Sequence, residues 1–165
     1  MKTSESLFVP LRGLVHHVRQ WGAPGAPQVF LLHGWGDVSA SFQFVVDALR
    51  KEWHVLAPDW RGFGLTESGA DTFWFPDYLA DLDALGRHFS PEMPLRLVGH
   101  SLGGNVACLY AGARPARVAE VIALDAFGLG ERGADEAPGR MEKWLHQLAT
   151  PEQFRTYPDR AAFAA

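Results

Sequence analysis

Gly99-His100-Ser101-Leu102-Gly103 constrains this chain more than any other stretch. An apolar run containing Leu95, Leu97 and Val98 leads into it, and Val106, Ala107, Leu109, Tyr110 and Ala111 follow as a helix-like segment. A glycine-flanked serine in that setting is a strand-to-helix turn. Such a turn forces Ser101 into a sparsely allowed backbone conformation, and side chains two residues before and after it would collide where strand and helix nearly touch. Glycine at 99 and 103 removes both collisions. The turn also points the first free N–H groups of the helix at whatever sits on the serine oxygen, where developing negative charge is stabilised. Ser101 is therefore the candidate nucleophile.

The bulk composition narrows the remaining choices. At 165 residues, 47% hydrophobic and 12% aromatic, the chain has the material for one globular core. A net charge of −4 without a Lys/Arg cluster gives no electrostatic footprint for nucleic acid or an anionic membrane. No apolar run approaches the ~20 residues needed to cross a bilayer, so the expectation is a soluble, cytoplasmic protein. The single cysteine, Cys108, excludes an internal disulfide and reads as a packing residue among small neighbours on the helix after Ser101. His16 and His17, adjacent on a strand, point to opposite faces and make a poor metal pair. No other His/Cys/Asp spacing suggests a metal, and neither a dinucleotide fingerprint nor a phosphate loop is present, so no cofactor is implied.

Along the chain, Ser6 to Leu11 and Leu14 to Arg19 form a hairpin about Arg12-Gly13 near a sheet edge. Val29-Phe30-Leu31-Leu32 is a strand buried on both sides, ending at His33-Gly34-Trp35-Gly36. Phe42, Val45, Val46 and Leu49 recur at helical spacing, with Ser39 or Ser41 as the N-cap. A strand from Trp53 to Ala57 runs into Asp59-Trp60-Arg61-Gly62-Phe63-Gly64. Tyr78, Leu82, Leu85 and Phe89 then mark a helix with Pro76 near its start. A last apolar strand over Val118 to Leu124 ends at Asp125. Strands alternating with helices predict a mostly parallel sheet covered on both faces. Ligands bind beyond the carboxyl ends of such strands, where His33-Gly34-Trp35, Asp59 to Gly64, Ser101 and Asp125 all fall. From Phe127 the rhythm changes: Met141, Trp144, Leu145 and Leu148 share a helical face, Thr150-Pro151-Glu152-Gln153 reads as a capping box, and a lid over the site is expected.

Taken with their order, His33-Gly34-Trp35-Gly36, Asp59 to Gly64 and Gly99 to Gly104 resemble the α/β-hydrolase superfamily, and more narrowly its lidded serine hydrolases and esterases. The resemblance runs from about Val15 to Phe127. It implies an α/β-hydrolase core over 1–126 and the start of a helical lid over 127–165. It also implies that Ser101 attacks an acyl carbonyl while the backbone N–H groups of Leu102 and Trp35 bind the oxyanion. His33 becomes a loop-shaping residue, His100 packs or hydrogen-bonds beneath the nucleophile, and Asp59 and Arg61 tie loops together.

The family order is serine, then acid, then histidine. His146 is the only histidine after Ser101, and it falls in the expected lid helix, so it is not assigned as the base. Asp125 is a candidate acid of a minority arrangement, or a structural residue. The reading is thus a fold truncated before its last strands, whose partner is the missing C-terminal part of the same fold and whose substrate is a small acyl compound. A serine without a base is weakly nucleophilic, so this chain alone is expected to be nearly inactive, and its uncovered sheet edge to make it unstable or prone to aggregate. A non-catalytic scaffold, or a carbon–carbon bond or thioester hydrolase, are the competing functions.

Overall fold

The alternating apolar runs form a six-stranded sheet of spatial order β1-β2-β4-β3-β5-β6. Its strands are β1 (Ser4–Leu11), β2 (Leu14–Trp21), β3 (Gln28–Leu32), β4 (His54–Pro58), β5 (Leu95–His100) and β6 (Val118–Leu124). The computed structural model describes residues 1–69, 73–128 and 133–150, and the chain forms two compact units, Met1–Leu129 and Gly130–Ala165. The sheet belongs to the first unit.

β1 and β2 make the expected hairpin, with Ser4 opposite Trp21 and Leu11 opposite Leu14. Both turn residues, Arg12 (φ 49°) and Gly13 (φ 76°), are left-handed, the combination that matches the twist of a two-residue hairpin. Arg12 then reaches across to α2 (Phe75–Phe89), where Nη1 donates to Asp81 at 2.6 Å and Nη2 to Asp77 at 3.0 Å. β2 is antiparallel to β4, whereas β4, β3, β5 and β6 run parallel, so the carboxyl ends of those four strands share one rim.

Consecutive residues of each inner strand go to opposite faces, as the two-residue period of a strand demands. Phe30, Leu32, Leu56 and Leu97 pack with Tyr78, Leu82 and Leu85 of α2 and with Val106, Ala107 and Tyr110 of α3 (Leu102–Ala113). Val29, Leu31, Val55 and Ala57 pack on the other face with Phe42 and Val46. That second cover is thin. A 3-10 turn, Ser39–Phe42, precedes α1 (Gln43–Ala48), and neither serine caps a helix, contrary to expectation. Two carboxylates take them instead: the Ser39 N–H donates to Asp59 at 2.6 Å and the Ser41 hydroxyl to Asp37. Both serines lie inside the 3-10 turn, and Val38 and Phe42 hold the N-cap positions. Beside α1 lies a cavity of about 340 Å³ lined by Val45, Leu49, Trp53, Val98 and Ile122 among others.

One further expectation shifts. Cys108 is exposed rather than packed, because Gly103, Gly104, Val106, Ala107 and Tyr110 make up the inward face of α3 and leave Cys108 and Leu109 outward. β6 is the outer strand at the end of the sheet away from β1, and its Ile122 and Leu124 are each 46% exposed. In the second unit, α4 (Ala137–Ala149) carries Met141, Leu145 and Leu148 exposed. Thr150 is described as the cap residue of α4, while the rest of the expected capping box, Phe154 and the terminal alanine-rich helix lie outside the described residues. No helix among the described residues is long and apolar enough to cross a membrane.

Candidate active site

Ser101 stands between β5 and α3 with φ 49° and ψ −112°, a conformation that costs of order 1–3 kcal/mol for a residue bearing a side chain. Backbone bonds on both sides hold it. The Ser101 N–H donates to the Leu124 carbonyl of β6 at 2.9 Å, and the Ser101 carbonyl accepts the Asn105 N–H at 3.0 Å. The flanking glycines are required as expected. A Cβ on Gly99 would sit 2.4 Å from the Gly103 carbonyl carbon, and one on Gly103 would sit 2.2 Å from the Leu32 carbonyl oxygen. A Cβ on Gly104 would lie 2.5 Å from that of Ala126. Strand, helix and the end of β3 thus meet backbone to backbone beneath the serine.

The loop after β3 passes over the same point. A Cβ on Gly34 would be 3.3 Å from Ser101 Cβ, so only a glycine lets the loop approach this closely without displacing a neighbour. His33 shapes that loop. Its ring is fully buried, and Nε2 accepts the Trp60 N–H at 3.0 Å, which leaves the proton on Nδ1 to donate to the Gly34 carbonyl at 2.8 Å. Burial, partly offset by that bond to Gly34, holds the His33 pKa below its ordinary value. Because the 34–35 peptide is trans, drawing the Gly34 carbonyl to His33 turns the Trp35 N–H to the opposite side. The Trp35 side chain, 72% exposed, meets Phe63 edge-on at 5.1 Å. Leu102 is the first residue of α3, so its N–H is one of the orphan donors of a helix start.

His100 corrects an expectation. It is exposed and lies over Gly34, 2.9 Å from where a Cβ would be, rather than beneath the serine. Strand alternation explains this: Gly99 turns inward to α3, which sends His100 to the other face. Among the described residues no histidine is hydrogen-bonded to Ser101 Oγ. Both ring nitrogens of His33 are engaged, by the Gly34 carbonyl and the Trp60 N–H, and His54 bonds Gln20 at 3.2 Å. Asp125, at φ 52° after β6, is exposed and paired with no histidine. His146 lies in the last turn of α4, in the second unit.

Two charge clusters escaped the sequence. Asp59 accepts the Ser39 N–H, the Leu65 N–H at 2.9 Å and His17 Nδ1 at 2.7 Å. Burial pushes its carboxyl up, but the bonds from Leu65, Ser39 and His17 outweigh it and leave the pKa below the ordinary carboxylate value. Asp81, fully buried, accepts Arg61 Nε and Nη2 at 2.6 Å each as well as Arg12. Gly64 was the available signal: a Cβ there would sit 2.1 Å from Asp59 Oδ2, so the glycine makes room for the carboxylate.

With this geometry in view, the comparisons with known proteins are consistent. Residues 27–163 match the alpha/beta hydrolase fold family, and the chain belongs to it. It is 37% identical over 120 residues to a serine hydrolase-like protein of Danio rerio, covering 72% of this chain and 35% of that protein. It is 28% identical over 156 residues to a 3-hydroxybutyrate-oligomer hydrolase of Cupriavidus necator, covering 93% and 50% respectively. A thioesterase domain from the curacin biosynthetic pathway superposes with a TM-score of 0.85 at 27% identity, over 98% of this chain and 60% of that one. The chain therefore spans between 35% and 50% of these two curated relatives.

Proposed function

We propose that Ser101 is the nucleophile of a serine hydrolase that cleaves a carboxylic ester or related acyl compound through an acyl-enzyme. The observation that carries the reading is the left-handed Ser101 with the Gly34 loop pressed against it. Oγ attacks the acyl carbon, and the N–H groups of Leu102 and Trp35 receive the oxyanion. Each such donor contributes about 3 kcal/mol to transition-state stabilisation. The relative named as a 3-hydroxybutyrate-oligomer hydrolase supports a small acyl substrate, and the curacin thioesterase domain supports a thioester as the second reading. The base and acid come from a C-terminal part of the same fold, which also covers the exposed Ile122 and Leu124 of β6 and the cavity beside α1.

The test is turnover of 4-nitrophenyl butyrate and of its thioester analogue by the protein together with any chain that continues it. Hydrolysis of either, lost in Ser101→Ala, supports the proposal and chooses between the two substrates. A folded protein that turns over neither favours a binding role for the fold. Activity undiminished in Ser101→Ala removes the serine from the mechanism.

A further inference from the structure

Far from Ser101, three side chains line up in an order that activates a hydroxyl. Asp59 Oδ2 lies 2.7 Å from His17 Nδ1, and His17 Nε2 lies 2.9 Å from Ser6 Oγ. We propose that Ser6 is a second nucleophile, with His17 as its general base and Asp59 orienting the imidazole, and that it accepts acyl groups from activated aryl esters.

The protons follow from the partners. Asp59 already accepts backbone N–H groups from Ser39 and Leu65, and a carboxylate so engaged is an acceptor. The proton between Asp59 and His17 therefore sits on Nδ1. In the neutral ring Nε2 is then the acceptor, and the Ser6 hydroxyl donates to it. That is the ground-state arrangement of a general base on a serine.

Access and shielding also fit. His17 and Asp59 are 0% and 2% exposed, whereas Ser6 is an exposed residue of the outer strand β1. Phe8 stands opposite His17 in the hairpin register, its ring 5.2 Å from the imidazole, and covers it. As β1 is an outer strand, the amides it does not turn toward β2 face solvent and are free to meet an oxyanion. The relay is independent of Ser101. β2, β4 and β3 lie between β1 and β5, and at about 4.8 Å per strand the separation is about 19 Å.

In the step itself, a bond forms from Ser6 Oγ to the ester carbonyl carbon and the carbon–oxygen bond to the aryl group breaks. The hydroxyl proton passes to His17 Nε2 and then to the departing phenolate. The products are O-acyl-Ser6 and a phenol.

The experiment exposes the Ser101→Ala protein to 4-nitrophenyl acetate and maps the acetylated peptides over time. The expected result is acetylation of Ser6 at least about 100-fold faster than of the exposed Ser68, the lower end of general-base effects, and its loss in His17→Gln. Should His17→Gln fail to fold, Ser6→Cys answers the same question. A thiol beside this imidazole is held as thiolate and reacts with iodoacetamide well below pH 7, unlike the exposed Cys108 of the same molecule. Acetylation of Ser6 no faster than Ser68, or a Ser6→Cys thiol with the pH profile of Cys108, overturns the proposal and makes the three residues a structural tie.

Discussion

The turn at Ser101 and the turn at Asp59 to Gly64 follow strands β5 and β4 on one rim, with β3 between them, yet they are held by opposite means. At Ser101 the chain is kept in a strained state by missing side chains, with Gly34, Gly99 and Gly103 letting three backbones touch, and Ser101 Oγ is left without a hydrogen bond to a histidine. At Asp59 and Arg61 every charge is consumed: Asp59 by Ser39, Leu65 and His17, and Arg61 by the buried Asp81. The charged turn is fixed by ionic hydrogen bonds, the serine turn by close backbone contact. Backbone strain persists at Ser101 because the close glycine contacts and the bonds to Leu124 and Asn105 over-determine that turn.

The largest effect is expected where this contrast is steepest. Gly103→Ala drives a Cβ to 2.2 Å from the Leu32 carbonyl oxygen, backbone against backbone, and should destabilise by more than about 4 kcal/mol or prevent folding, as read by urea denaturation. A well-folded alanine variant would mean that the elbow is looser than drawn. Asp81→Ala comes next. It leaves the Arg61 guanidinium only its longer contact with Asp77 at 3.6 Å, and removing one member of a buried pair costs about 3–5 kcal/mol. A loss below 1 kcal/mol would place this pair with ordinary surface bridges.

Acid should act on the second turn and its surroundings. Burial, partly offset by Asp81 for His16 and by Gly34 for His33, holds His16, His33 and His54 below the ordinary value of 6.5. As pH falls through about 6.5 the unfolded chain binds protons that the folded one refuses, so stability falls. Asp59 adds a second loss in the same direction. Its folded pKa lies below 3.8, so its contribution is present above that value and disappears as pH drops through the folded pKa. Chemical denaturation at pH 7.5, 5.5 and 4 should show stability decreasing at each step, and a flat profile would contradict the burial of these groups. Tyr78→Phe should have the smallest effect. Burial among Trp60, Phe73 and Phe75 pushes the Tyr78 hydroxyl up to about 12, and the hydroxyl has no hydrogen-bond partner among the described residues. Its removal should leave the melting temperature unchanged or slightly raised.

Apolar period and glycine placement made the sheet, the main helices and the elbow legible, because each is a local pattern along the chain. Leu97 and Gly99 faced inward as alternation demands, and Tyr78, Leu82 and Leu85 shared the buried face of α2. What escaped was polar pairing at a distance. His17 and Asp59 are 42 residues apart, and nothing in the spacing of either announces the other. The N-cap expectation failed because the 3-10 turn starts at Ser39 itself, which places Val38 rather than a serine at the cap. His100 and Cys108 were misplaced for a different reason: both sit on faces that no described element covers, so their exposure depends on packing rather than on local sequence.

The central claim is that the strained serine between β5 and α3 is the residue that attacks. Treating the protein, with any chain that continues it, with a fluorophosphonate and locating the phosphonylated peptide tests this most directly. The account predicts an adduct on Ser101 that forms under native conditions and vanishes when the protein is unfolded in urea beforehand. An unmodified Ser101 in the folded protein, or equal modification after unfolding, would contradict it.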